Sequence, residues 1–164
     1  MKTEQLILLF AGGGAVLLIA FLAASIYTVE QQTVAIVQRL GRFQREAGPG
    51  VHFKVPLIDH IVARLNLRVQ QLDVAVETKT EDNVFVDMMV SVQYFVLPEK
   101  IYEAQYKLDD ARRQITSYVF DVVRAQVPKI KLDDVFEKKD DIAEAVKVEL
   151  SVMEGFGYGI VYYP

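Results

Sequence analysis

The chain has 164 residues, 52% of them hydrophobic and 24% charged, which gives room for one domain of ordinary size with an appendage and excludes two enzymatic domains. Eighteen Lys and Arg against twenty-two Asp and Glu leave a net charge of −4, so there is no chain-wide basic excess to neutralise a phosphate backbone, and nucleic acid is not an expected partner. The absence of cysteine excludes disulfides, thiolate zinc sites, iron–sulfur clusters and cysteine nucleophiles.

The first element in chain order is the run Leu6 to Val29, LILLFAGGGAVLLIAFLAASIYTV, which carries no charge. About 20 residues at a rise of about 1.5 Å cover the roughly 30 Å hydrocarbon core of a bilayer. A membrane anchor over residues 1–27 is therefore expected, with Leu6, Leu9, Phe10, Val16, Leu17, Ile19, Phe21, Leu22 and Ile26 against lipid and Tyr27 at the interface. The competing reading is a cleaved signal peptide ending near Ala23, Ala24 and Ser25. The stretch is longer than the usual apolar region of about 7 to 15 residues. Gly12, Gly13 and Gly14 would let another anchor approach, although small residues are ordinary in membrane helices. Arg39, Arg42 and Arg45 follow the span, against Lys2 before it. That bias favours a single-pass protein of the cell membrane with a cytoplasmic domain.

From Gln31 the pattern alternates. Thr33 to Gln38 and Gly41 to Glu46 read as strands joined at Arg39-Leu40-Gly41, and Gly48-Pro49-Gly50 predicts a sharp bend before VHFKV. Pro56 ends that strand, and Ile58 to Val69 and Leu72 to Val76 read as further half-buried strands. Phe53, Val55, Leu57 and Ile58 follow the bend and have two readings. They dip into a lipid surface, where affinity rises by about 25 cal/mol per Å² of apolar area buried, or they belong to the core, the ordinary fate of such residues.

Val84 to Val96 is the clearest strand, with Val84, Val86, Met88, Val90, Val92, Tyr94 and Val96 on one face. Its other face, from Phe85 to Phe95, is mixed and predicts cover at both ends with a wet middle. Glu81-Asp82-Asn83 predicts a hairpin with VAVETKT. After Leu97 the chain is helical and charged. Glu99 to Lys107 reads as a short helix, and Asp109 or Asp110 caps a second on the stripe Ile115, Val119 and Val122, which Pro128 stops. Asp133 or Asp134 opens a final one on Ile142, Val146, Leu150 and Met153. Gly155 to Gly159 ends it, and Ile160 to Tyr163 returns as a strand. The fold class is therefore α+β, a mainly antiparallel sheet with helices packed on one face.

The residues give no catalytic or metal-binding constellation. His52 and His60 lack a partner at ligand spacing, and Ser25, Ser91, Ser117 and Ser151 lie in no Gly-x-Ser-x-Gly elbow. Asp133-Asp134 and Asp140-Asp141 lack the spacing of a calcium loop, and Gly41, Gly48 and Gly50 form no phosphate-binding order. Lys129, Lys131, Lys138 and Lys139 are interleaved with acids, which suits a solvated or subunit-facing surface better than an anionic-lipid patch. No catalytic residue, metal or cofactor is expected.

Taken in order, VEQQTVAIVQRLGRF, GPGVHFKVPLID, ETKTEDNVFVDMMVSVQYFV and LDDVFEKKDDIAEAVKVELSVMEGFGYGI resemble the stomatin/prohibitin/flotillin (SPFH, band 7) superfamily. EDNVFVDMMVSVQY is most similar to the hypersensitive-induced reaction proteins and bacterial stomatin-like proteins. The resemblance implies an SPFH domain over 28–164 behind the anchor, and a non-enzymatic scaffold. Copies of it, or of related SPFH proteins, would assemble into rings or cages on the bilayer, organise a membrane microdomain, and regulate membrane proteins such as proteases. The alternative is a single-copy anchored adaptor or inhibitor of one membrane enzyme. Family members continue into a heptad-rich helix where this sequence ends at Tyr162-Tyr163-Pro164, so a fragment or a truncated form is expected.

Overall fold

A computed structural model describes the backbone of residues 3–161 and the side chains of residues 11–161. The side chains of Leu6, Leu9 and Phe10, and residues 162–164, among them the last two of the expected final strand, lie outside the described residues. The chain divides into two units, residues 1–66 and 67–164.

In the first unit the apolar run splits at Ser25. Helix α1 covers Thr3–Ser25 and strand β1 covers Ile26–Val29, which pairs antiparallel with β4 (Gly50–Phe53) from Ile26 opposite Phe53 to Val29 opposite Gly50. Hydropathy is continuous across the junction, but Ile26-Tyr27-Thr28-Val29 is β-branched and aromatic and suits a pleated strand. Two expectations are corrected here. Ile26 belongs to a strand and not to the helix, and Tyr27 is buried with Val29, Ala35, Val37 and Ala47 instead of sitting at an interface.

Strands β2 (Thr33–Arg39), β3 (Arg42–Ala47) and β5 (Asp59–Asn66) form an antiparallel sheet in the order β3-β2-β5. The central strand buries Val34 through Val37 consecutively, as a strand covered on both faces does. Both flanking strands carry a register shift: Gln44 is skipped between Phe43 and Arg45, and Val62 between Ile61 and Ala63. Such bulges bend an edge and discourage further pairing. The strand expected from Ile58 to Val69 stops at Asn66, and Val69 is exposed.

In the second unit β6 (Gln70–Lys79) and β7 (Phe85–Val96) make a long hairpin, and β8 (Tyr158–Val161) pairs with the end of β7. Leu72, Val74, Val76 and Thr78 of β6 are buried while Gln71, Asp73, Ala75, Glu77 and Lys79 are exposed. Helices α2 (Ile101–Tyr106), α3 (Ala111–Gln126), α4 (Leu132–Val135) and α5 (Lys139–Leu150) supply the opposing layer, with Ile115, Val119, Val123, Ile142, Val146 and Leu150 in the core. The α+β class holds, and the arrangement of helices against one sheet face is that of this unit.

Local details depart from expectation for physical reasons. On the face that meets the helices, β7 is fully buried only toward its end, at Val92, Tyr94 and Val96, while Val86, Met88 and Val90 are half-buried; Phe85 and Met89 are exposed on the opposite face. Asp110 caps α3, its carboxylate accepting the Arg113 N–H at 3.0 Å. Helix α3 ends at Gln126, just before Pro128, as expected, and Pro128 sits in a 3₁₀ turn, Val127–Lys129, where its missing N–H costs nothing. The last helix starts at Lys139, while Asp133 and Asp134 occupy the first turn of α4, whose partial positive charge suits them. Of the terminal glycines only Gly157 takes a left-handed φ, +87°, where a Cβ would collide with the Lys100 carbonyl and lie 2.9 Å from the Ala104 nitrogen. The strand resumes at once, at Tyr158 rather than Ile160.

Candidate functional site

The candidate site lies in the first unit, at the end of α1. The Ser25 carbonyl accepts the Lys54 N–H at 2.7 Å, so the residue after β4 is seated on the last residue of the helix. Arg45 donates through Nη2 to the Phe53 carbonyl. His52 lies beneath, its Nε2 2.7 Å from the Gly48 carbonyl oxygen and its ring 5.6 Å from that of Tyr27. Both polar ends of the short β1–β4 ribbon are thus tied to the body of the unit.

Asp59 organises the loop that follows. It is 4% exposed. Its Oδ1 accepts Arg39 Nε at 2.7 Å, and its Oδ2 accepts Arg39 Nη2 at 3.1 Å and the Val55 N–H at 2.9 Å. This two-pronged, charge-assisted arrangement fixes direction as well as distance. The Arg39 hydrogen bonds, with help from the Val55 N–H, hold the Asp59 carboxyl at about 2, below the usual carboxylate range, and raise Arg39 in turn.

Two leucines project from this frame in a conformation that disfavours them. Leu57 has φ +71° in the turn Val55-Pro56-Leu57-Ile58, closed by the Ile58 N–H on the Val55 carbonyl at 3.3 Å. Proline suits the second position of such a turn, and the third favours Gly or Asn. Leu40 has φ +49° beside Gly41 at +81°, in a hairpin turn whose first central position favours Asn. The Leu40 N–H donates to the Ile58 carbonyl at 3.2 Å, which ties the two turns together. Left-handed backbone costs a leucine about 1 kcal/mol or more. Neither side chain recovers that cost by packing, since Leu57 is 88% and Leu40 78% exposed.

Of the sequence-derived surface residues, Phe53 is 66% exposed, and Val55 and Ile58 each 39%. The alternative that places these four residues in the core is therefore corrected: turn backbone and the Asp59 anchor point them outward. Leu40 was not among the residues singled out from the sequence. Its only local signal is a bulky apolar residue where a Leu-Gly turn would ordinarily have Asn-Gly. In α1, Val16, Leu17, Ile19, Phe21 and Leu22 are all exposed. Among the described residues no helix is long and apolar enough to cross a membrane. Those described residues also hold no group of His, Cys, Asp and Glu able to bind a metal. His60 is exposed on β5 opposite Gln38. The arrangement offers apolar contact and hydrogen-bonded rigidity.

Comparison with known proteins agrees with the fold. Residues 27–161 match the SPFH domain / Band 7 family. The chain is 47% identical over 134 residues to Hypersensitive-induced response protein 4 of Arabidopsis thaliana, covering 80% of this chain and 46% of that protein. It is 31% identical over 121 residues to a stomatin-like protein of Caenorhabditis elegans, covering 72% and 36% respectively. It is 28% identical over 119 residues to the mitochondrial stomatin-like protein 2 of Homo sapiens, covering 72% and 33%. The chain thus spans less than half the length of each of these relatives.

Proposed function

The chain belongs to the SPFH domain / Band 7 family, and from that premise we propose that it is a membrane-held scaffold whose copies assemble side by side and restrict which lipids and proteins mix around them. In this reading the apolar run from Leu6 to Ser25 is a single-pass anchor and the folded units lie on the cytoplasmic side. The ledge of Leu40, Phe53, Val55, Leu57 and Ile58 is a second contact with the lipid surface. The observation that carries the reading is the Ser25–Lys54 hydrogen bond, because it seats the exposed ledge at the point where the helix would leave the bilayer. An apolar side chain displayed there gains about 25 cal/mol for each Å² it buries in lipid, enough to offset the backbone strain of a displayed leucine. Tethering raises the local concentration of neighbouring copies, so that modest pairwise contacts close a stable assembly. A membrane protease or another membrane protein held within such an enclosure is the client this mechanism suits.

Flotation with liposomes tests the membrane part. The full chain is expected to rise with the vesicles and to resist alkaline extraction, and the double substitution Leu17→Lys, Leu18→Lys to weaken both. Full-length wild-type chain left at the bottom of the gradient would overturn the reading. A reporter that works only outside the cytoplasm, fused after residue 164 and active there, would overturn the orientation alone.

A further inference from the structure

The second unit has two layers, and only one sheet face is covered. On the uncovered face of the β6–β7 hairpin the register sets Asp73 opposite Ser91, Ala75 opposite Met89, and Glu77 opposite Asp87. Asp73 is held in place by Ser91 Oγ at 2.6 Å and Gln71 Nε2 at 2.8 Å. Glu77 and Asp87 are both exposed and directly opposed, and two like charges so placed repel. Met89, between the two acidic positions, is 67% exposed. Along the strand Asp73 and Glu77 are four residues apart, about 13 Å at a rise of roughly 3.3 Å. The face therefore reads as negative, apolar, negative, with Lys79 and Phe85 paired beyond Glu77 at the hairpin end, the ammonium 4.3 Å from the ring centre.

The outward side of α3 carries the converse. Arg113, Ser117, Phe120 and Arg124 follow at steps of four, three and four and so share one stripe. Arg113, Ser117 and Arg124 are exposed, and the Arg124 guanidinium lies 4.9 Å from the centre of the half-buried Phe120 ring. Eleven residues of helix separate the two arginines by about 16 Å, at about 1.5 Å each. The stripe reads as positive, apolar, positive, at a spacing that flexible arginine side chains can match to the acidic face. Within this helix only Asp121 opposes Arg112, Arg113 and Arg124, although the unit around it carries twelve basic and eighteen acidic residues.

We propose that the uncovered β6–β7 face of one copy docks on the outward stripe of α3 of the next copy. Arg113 and Arg124 meet the carboxylates of Asp73, Glu77 and Asp87, and Met89 meets Phe120. The two patches differ and lie on opposite layers of the same unit, so the contact is head-to-tail. Repeated contacts of that kind generate a ring when the rotation closes. The bulged strands β3 and β5 of the first unit are unsuited to edge pairing. This inference rests on the self-assembly part of the proposed function and names the surfaces that perform it.

Charge exchange in the full-length, detergent-extracted chain tests it. Arg113→Glu with Arg124→Glu makes both patches acidic, and Glu77→Lys with Asp87→Lys makes both basic. Each variant alone is expected to lose association about tenfold or more, and an equimolar mixture to regain it, since every helix stripe then finds a face of opposite charge. A wild-type-like assembly of either variant alone, or a mixture of non-assembling variants that stays unassembled, would overturn the inference. Because the chain has no cysteine, Met89→Cys in one preparation and Phe120→Cys in another give a second readout. Oxidation of the mixture is expected to yield a disulfide-linked dimer, and its absence from an assembled mixture rejects these surfaces while leaving the scaffold reading intact. Wild-type chain that never assembles rejects that reading itself.

Discussion

The two units solve the same problem, burial of a sheet, in opposite ways. Residues 67–164 alternate buried and exposed side chains along β6 without interruption and cover the apolar face with helices. Residues 1–66 expose their leucines at turns, hold them there with a half-buried ion pair, and bend both flanking strands with bulges. Charge divides in the same sense, six basic and four acidic residues in the first unit against twelve and eighteen in the second. A region that departs from ordinary packing rules is marked for contact, and one that follows them is marked for stability.

Substitutions that separate the two regimes sharpen this contrast. Ile115→Ala, at a fully buried position of α3, is expected to cost about 3 kcal/mol in chemical denaturation, whereas Leu57→Ala should change stability by less than about 0.5 kcal/mol. Equal costs would erase the distinction. Gly157→Ala forces a Cβ toward the Lys100 carbonyl at a left-handed φ. A loss of about 2 kcal/mol is expected, read as a lower melting temperature.

Acid titration bears on the Asp59 anchor of the first unit. The Asp59 carboxyl stands at about 2 in the fold, against about 3.9 in an unfolded chain. Its contribution is therefore complete above about pH 4, drains as the pH falls toward 2, and is gone below that. The protection factor of the Val55 amide, its exchange rate relative to that of a free amide at the same pH, should fall between pH 5 and pH 2 in wild type and already be low at neutral pH in Asp59→Asn. Flat protection in both would remove Asp59 as the organiser of the ledge.

The smallest change in stability carries the most specific message. Leu57→Gly removes a large apolar side chain yet suits the local φ of +71°, so stability should hold within about 0.5 kcal/mol. Flotation of an anchor-weakened chain with vesicles should nevertheless fall. Unchanged flotation would break the link between strain and lipid contact.

What the sequence makes legible follows from which physics is local. The alternation of β6 and β7, the stripe Ile115, Val119, Val122 and a cap at Asp109 or Asp110 depend on neighbours a few residues away, and they read directly; the structure selects Asp110. The split at Ser25 does not, because Ile26 to Val29 is as apolar as the helix before it, and its β-branched and aromatic residues are fixed as a strand by pairing with β4. Which glycine near residue 157 caps the last helical turn is decided by the Lys100 and Ala104 backbone, more than fifty residues earlier. At the candidate site, Phe53, Val55, Leu57 and Ile58 were legible as a group, but their exposure depends on Asp59 meeting Arg39, and Leu40 joins them only through the Ile58 carbonyl.

The central claim, that a membrane-held chain tiles with its own copies, is tested most directly by the mass of the full-length protein extracted from membranes in mild detergent. A discrete particle of many copies, narrowing to one size as contacts close, is the predicted result. A homogeneous single copy across the accessible concentration range would contradict it.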